Sequence, residues 1–186
     1  MVTKAEAKKS RQDKALDSKR SLKLRIEAGL EQDKNEFVRN SKQLLFIKQL
    51  KLNPENAQAW FNLGANLVTG GMAKVGSHSY TKKQCYVQAL TLYPKYVEAW
   101  HNLGVDLGVE GTAQIGSQSY TELQCYAQAV TLNPEVAESW FNLGHDLGDG
   151  ETAQFRNQSY TQQQCYVRCG QRQRWPSLKV SSVLPL

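Results

Sequence analysis

Apolar residues in the middle of the chain follow two alternating rhythms. Ala59, Trp60, Leu63 and Leu67 fall near i, i+3/i+4 and i+7/i+8, the spacing of one helical face. Pro54 suits the first turn of such a helix, and Gly70-Gly71 are placed to end it. From Ala73 to Tyr80 the pattern shortens to period two around Gly76-Ser77. That predicts a tight hairpin, with an ordered loop as the alternative. Thr81-x-x-Gln84 then opens a second helix as a capping box, followed by Cys85, Tyr86, Ala89, Leu90 and Leu92 and closed by Pro94.

The whole pattern returns every 40 residues. Trp60/Trp100/Trp140 and Cys85/Cys125/Cys165 keep this step, as do Pro54/Pro94/Pro134, and residues 60–99 match 100–139 at 21 of 40 positions. A fixed step in the 20–50 range points to units that bury their apolar faces on neighbouring copies. Gly64, Gly104 and Gly144 recur inside the first helix, where Gly costs roughly 1 kcal/mol relative to Ala, so a second helix is expected to approach closely there. In the third copy Arg156-Asn157 replaces Gly-Ser at the turn, and only Asn157 suits a left-handed backbone.

Trp60-x-x-Leu63-Gly64-x-x-Leu67 followed by Tyr86-x-x-Ala89-x-x-x-x-Pro94 resembles the tetratricopeptide repeat. Trp100-x-x-Leu103-Gly104-x-x-Leu107 with Tyr126-x-x-Ala129-x-x-x-x-Pro134 does so equally. The family's usual unit has 34 residues, so each copy here carries six more, at the expected hairpin. Lys82, Glu122 and Gln162 stand where that family has a small residue early in its second helix. The resemblance covers about residues 43–167 and implies an all-α solenoid of helix–turn–helix units, with short hairpin or loop insertions.

Residues 1–21 are basic and polar, and are expected to be disordered or a frayed helix. Residues 22–54 read as a helical cap or degenerate first repeat, with a possible break at Gly29 and at 33–35; 45–54 align with the second helix of a unit. Repeats follow at 55–94 and 95–134, then an incomplete one at 135–170. The tail, 171–186, lacks helical periodicity, and its Trp175, Val180, Val183 and Leu184 are expected to pack on the last helix or stand exposed. The ragged end is also what a fragment of a longer array would show.

Charge is uneven: +7 over residues 1–51, −6 over 52–154 and +5 over 155–186. An acidic array between basic ends is not the single basic face typical of nucleic-acid binding. At a mean hydropathy of −0.55 the chain has no apolar run long enough to span a membrane and no signal-peptide core. Its four cysteines suit a reducing compartment, cytoplasm or nucleus.

Catalytic and metal motifs are missing from the sequence. There is no phosphate-cradling Gly loop, HExxH or GxSxG. His78, His101 and His145 occupy non-equivalent places, Cys165-x-x-x-Cys169 alone approaches a metal spacing, and the recurrent cysteines lie on the packed stripe. Neither an enzyme nor a cofactor is expected. By the resemblance, the first helices line a concave groove through Gln58, Phe61, Ala65 and Thr69, then Glu98, His101, Val105 and Val109, then Glu138, Phe141, His145 and Asp149. No cation stands there to clamp a carboxylate, so the expected partner is a peptide or helix of another protein, held by apolar anchors with basic flanks. The alternative puts the activity in the basic N-terminus (Lys4, Lys8, Lys9, Lys14, Lys19, Arg20, Lys23, Arg25) on nucleic acid or anionic lipid, with the repeats as spacer.

Overall fold

The computed structural model describes residues 4–148 and 150–170, with side chains from Arg20 onward apart from Leu22 and Ile26. Asp149 and the tail 171–186 lie outside the described residues. Helix α1 runs Lys4–Leu52, unbroken through Gly29 and 33–35. Three helix–hairpin–helix units follow: α2 (Ala57–Asn66), β1 (Met72–Val75), β2 (His78–Thr81), α3 (Lys82–Leu92); α4 (Val97–Leu107), β3 (Thr112–Ile115), β4 (Gln118–Thr121), α5 (Glu122–Leu132); α6 (Ala137–Asp146), β5 (Thr152–Phe155), β6 (Gln158–Thr161), α7 (Gln162–Arg168). Residues up to Leu45 form one compact unit and those from Phe46 a second.

This corrects the all-α class. Beside seven helices, the described residues hold three two-stranded antiparallel sheets, so the fold is mixed α and β rather than a solenoid of helices alone. The segments left open between hairpin and loop are hairpins, in register Ala73↔Tyr80, Ala113↔Tyr120 and Ala153↔Tyr160. Their two-residue turns explain why. Gly76 and Gly116 hold φ of 62° and 59° while the following serines do not turn positive, the II′ pattern. Arg156 and Asn157 both turn positive, at 51° and 60°, the I′ pattern. Both types match the twist of paired strands.

Each hairpin lays its Tyr on the tryptophan of its own unit. Ring centroids are 4.7 Å apart for Trp60–Tyr80, 4.7 Å for Trp100–Tyr120 and 5.1 Å for Trp140–Tyr160. Each indole N–H donates to the carbonyl of the proline six residues earlier, Pro54, Pro94 or Pro134, at 2.8–2.9 Å. The prolines therefore stand in the turn before the helix, which starts three residues later than a proline in its first turn would place it. A buried Trp needs a partner for its N–H, and this one ties the inter-unit turn to the helix.

Thr81, Thr121 and Thr161 each close a reciprocal capping box with the glutamine three residues on. Behind the caps, the second helix meets the mid-helix glycines: a Cβ built on Gly104 would lie 2.7 Å from the Tyr126 ring, and one on Gly64 2.9 Å from that of Tyr86. Consecutive helices from α2 to α7 pack on one another, and β3 and β5 rest on the second helix of the preceding unit. One core runs from Leu50 through the first two units to Ala129; a second holds Tyr126, Val130, Trp140, Leu143, Leu147 and Cys165.

Candidate functional site

The turn from α3 to α4 departs from the others. Pro94 ends the same motif as Pro54 and Pro134, but Tyr93 stands where the other turns have Asn53 and Asn133, and Tyr96 where they have Asn56 and Val136. Asn56 caps α2 by accepting from the Ala59 N–H; Tyr96 makes no side-chain cap for α4. What Tyr96 makes instead is an aromatic cluster. Its ring lies 4.7 Å from Phe61 and 6.1 Å from Tyr93, and Phe61 in turn lies 5.9 Å from the buried Tyr86.

These rings wall an open cleft of about 560 Å³, lined chiefly by Gln58, Phe61, Tyr93, Lys95, Tyr96 and Glu98. The volume lies within the range of ligand clefts, and the lining combines apolar faces with a few polar groups. Burial first, then the nearby Glu98, raises the Tyr96 hydroxyl above its ordinary pKa, with Gln58 opposing through a hydrogen bond. The phenol therefore stays a neutral donor throughout the physiological range.

Of the twelve groove residues expected from the sequence, the cleft brings together Gln58, Phe61 and Glu98. Elsewhere, His101 Nδ1 lies 2.9 Å from Ser139 Oγ, and its ring 5.8 Å from Tyr126. Burial lowers the His101 pKa, while the Glu138 charge opposes that. The Phe141 ring lies tilted against His145 at 6.2 Å and against Tyr166 at 5.7 Å. Ala65, Val105 and His145 are exposed on α2, α4 and α6. Tyr93, Lys95 and Tyr96 were missed because the reading followed what recurs. The signal was there, in the departures from the 40-residue period at 93 and 96.

The three recurrent cysteines are buried. Burial pushes the Cys85 and Cys125 thiols up to about 12 and Cys165 to about 11, so none is a ready thiolate at neutral pH. Among the described residues no group of three His, Cys, Asp or Glu could hold a metal ion, and no helix is long and apolar enough to cross a membrane.

No protein-family model matches the chain, and no curated protein matches it significantly.

Proposed function

We propose that the chain is a non-enzymatic interaction module that takes a peptide of a partner protein at the cleft between α2 and α4. The observation that carries this is the aromatic wall of Phe61, Tyr93 and Tyr96, assembled at the one inter-unit turn where Tyr displaces Asn or Val. Aromatic side chains supply much contact area at low entropic cost, and Tyr is enriched among residues that dominate interface energies. An apolar or aromatic anchor of the peptide enters among the rings. Gln58 meets its backbone, and Glu98 favours a basic residue beside the anchor.

The likeness of the Trp-x-x-Leu-Gly-x-x-Leu motif to tetratricopeptide repeats supports the same class of function, because that family binds peptides on its first helices. Ala65, His101, Val105, Glu138, Phe141 and His145 belong to the corresponding positions of this chain, and longer ligands extend toward them. Free cysteines suit the reducing cytoplasm or nucleus as the place of action.

A displayed peptide library selected on the full chain tests the reading. Selected peptides are expected to share an apolar anchor next to Lys or Arg. Their affinity should fall more than about tenfold on Tyr93→Asn with Tyr96→Val, since loss of such anchors costs about 2 kcal/mol or more. Both replacements already occur at the equivalent turn of the next unit, so the fold is expected to accept them. A library that yields no binder, or peptides indifferent to the double substitution, sinks the proposal.

A further inference from the structure

Helix α1 carries a row of large apolar side chains in water. Phe37 is 73% exposed, Leu44 67% and Leu30 57%, with Leu45 and Val38 about half exposed. At about 100° per residue, Leu30, Phe37 and Leu44 lie within about 40° of one another around the helix, and Val38 and Leu45 widen the band to about 120°. A band of this width usually faces a partner rather than solvent. The charges on the same helix say which partner.

Residues 27–36 carry Glu27, Glu31, Asp33 and Glu36 against Lys34, a net −3; residues 39–48 carry Arg39, Lys42 and Lys48 with no acid, a net +3. The sign reverses between Phe37 and Val38, in the middle of the apolar band. Glu31 and Lys42 line the Val38 side of that band, and Glu27 and Lys34 fall within its width. The acids have only loose, exposed partners on their own helix, Lys23 to Glu27 at 3.9 Å and Lys34 to Glu31 at 3.8 Å. Such pairs are individually weak and readily exchanged.

We infer that α1 is a self-association surface on which a second copy of this chain lies antiparallel, crossing between Phe37 and Val38. In that arrangement residue n of one copy sits level with residue 75−n of the other. Leu30 then meets Leu45, and Phe37 meets Val38. A two-fold axis across an antiparallel pair also sets like flank against like flank. Glu31 therefore comes within about 3 Å of the level of Lys42 along the axis. A parallel pair lacks this match, since the flank opposite Glu31 and Lys42 would present Gly29, Asp33 and Asn40. Apolar burial supplies the attraction, and the charge blocks choose the direction.

Sedimentation equilibrium of the full chain over the micromolar range is expected to show a monomer–dimer equilibrium. Phe37→Asp should weaken it more than about a hundredfold, because each copy loses a buried aromatic. Far-UV circular dichroism should stay unchanged, the side chain being mostly in water. Two charge variants then read the direction. Glu31→Lys, and separately Lys42→Glu, should each dimerise poorly alone. Mixed in equal amounts they should pair again, because an all-basic flank then faces an all-acidic one. A chain that stays monomeric throughout, a dimer indifferent to Phe37→Asp, or a mixture no better paired than its components would each overturn the inference.

Discussion

The second and third units share a sequence plan and differ in how firmly they execute it. In the second, α5 has eleven residues and Tyr126 is 2% exposed, its ring pressed over Gly104. In the third, α7 has seven residues and Tyr166 is only half-buried over Gly144. A Cβ on Gly144 would first meet Cys165 Cβ at 3.0 Å, then the Gln162 carbonyl oxygen at 3.2 Å and only then the Tyr166 ring, at 3.3 Å. The turn residues follow the same trend, with Gly116-Ser117 in the second hairpin and the left-handed Arg156 in the third, anchored by its guanidinium on the Thr131 carbonyl. The motif alone therefore does not make the units equal. What differs is whether the second helix is long enough to hold its tyrosine against the glycine.

Alanine at these glycines should separate the units most strongly. Gly104→Ala gains up to about 1 kcal/mol of helix propensity but drives a methyl into a ring that cannot leave, at a cost of about 1–3 kcal/mol. A net loss of about 1–2 kcal/mol is expected in urea unfolding. Gly64→Ala should cost slightly less, and Gly144→Ala least, because its nearest neighbour, Cys165 Cβ, would stand at 3.0 Å. Equal losses at all three positions would dissolve the distinction between tight and loose units.

The close approach of the second helix at Gly64, Gly104 and Gly144 was legible in the sequence, because a costly residue kept three times needs a packing reason. So were the capping boxes, written in Thr-x-x-Gln. The class was not. Helical periodicity dominates the apolar pattern, and four-residue strands contribute few positions to it, so the resemblance to a helical family carried the reading to all-α. The six additional residues per unit, with Gly-Ser at their centre, were the evidence against it. The cleft was half legible: Phe61 follows the period, but Tyr93 and Tyr96 break it, and a reading built on recurrence passes over what occurs once.

A polar pair marks a second contrast between units. His101 stands where the neighbouring copies have Phe61 and Phe141, and the buried Ser139 where they have Ala59 and Ala99. The two exceptions meet, at 2.9 Å. Ser139→Ala alone leaves the imidazole nitrogen without its partner and should cost about 1 kcal/mol. His101→Phe with Ser139→Ala restores the residues of the first unit and should recover most of that loss. The pH response separates the two forms further. Burial lowers the folded His101 pKa below 6.5, so on acidification the unfolded chain takes up the proton first. This part of the stability is whole above pH 6.5 and drains as the pH falls through the folded value. Thermal melts of the native chain should decline over that window, and those of the double variant should lack this component. Parallel declines would show that His101 does not titrate with folding.

The smallest effect concerns the charge beside each buried tyrosine. In the first unit Lys82 begins the second helix, and Asp106 follows on α4; in the second unit the equivalent residues are Glu122 and Asp146, two carboxylates. Glu122 accepts a hydrogen bond from the Tyr126 hydroxyl at 3.1 Å, yet burial first and the charge of Asp146 next raise its pKa. Asp146 Oδ1 lies 3.0 Å from His145 Nδ1, and Oδ2 is buried without a hydrogen-bond partner among the described residues. Glu122→Lys copies the first unit, gives Asp146 an opposite charge, and leaves Asn142 as a partner for the Tyr126 hydroxyl. A gain of about 0.5 kcal/mol is expected near neutral pH, the size of a partly exposed ion pair. Its pH dependence runs opposite to that of His101. A carboxyl whose folded pKa is raised penalises folding only above its unfolded value, so the variant's advantage should shrink as the pH falls toward 4. An advantage that persists there unchanged would trace the gain to packing of the longer side chain, and the two carboxylates would not be in conflict at all.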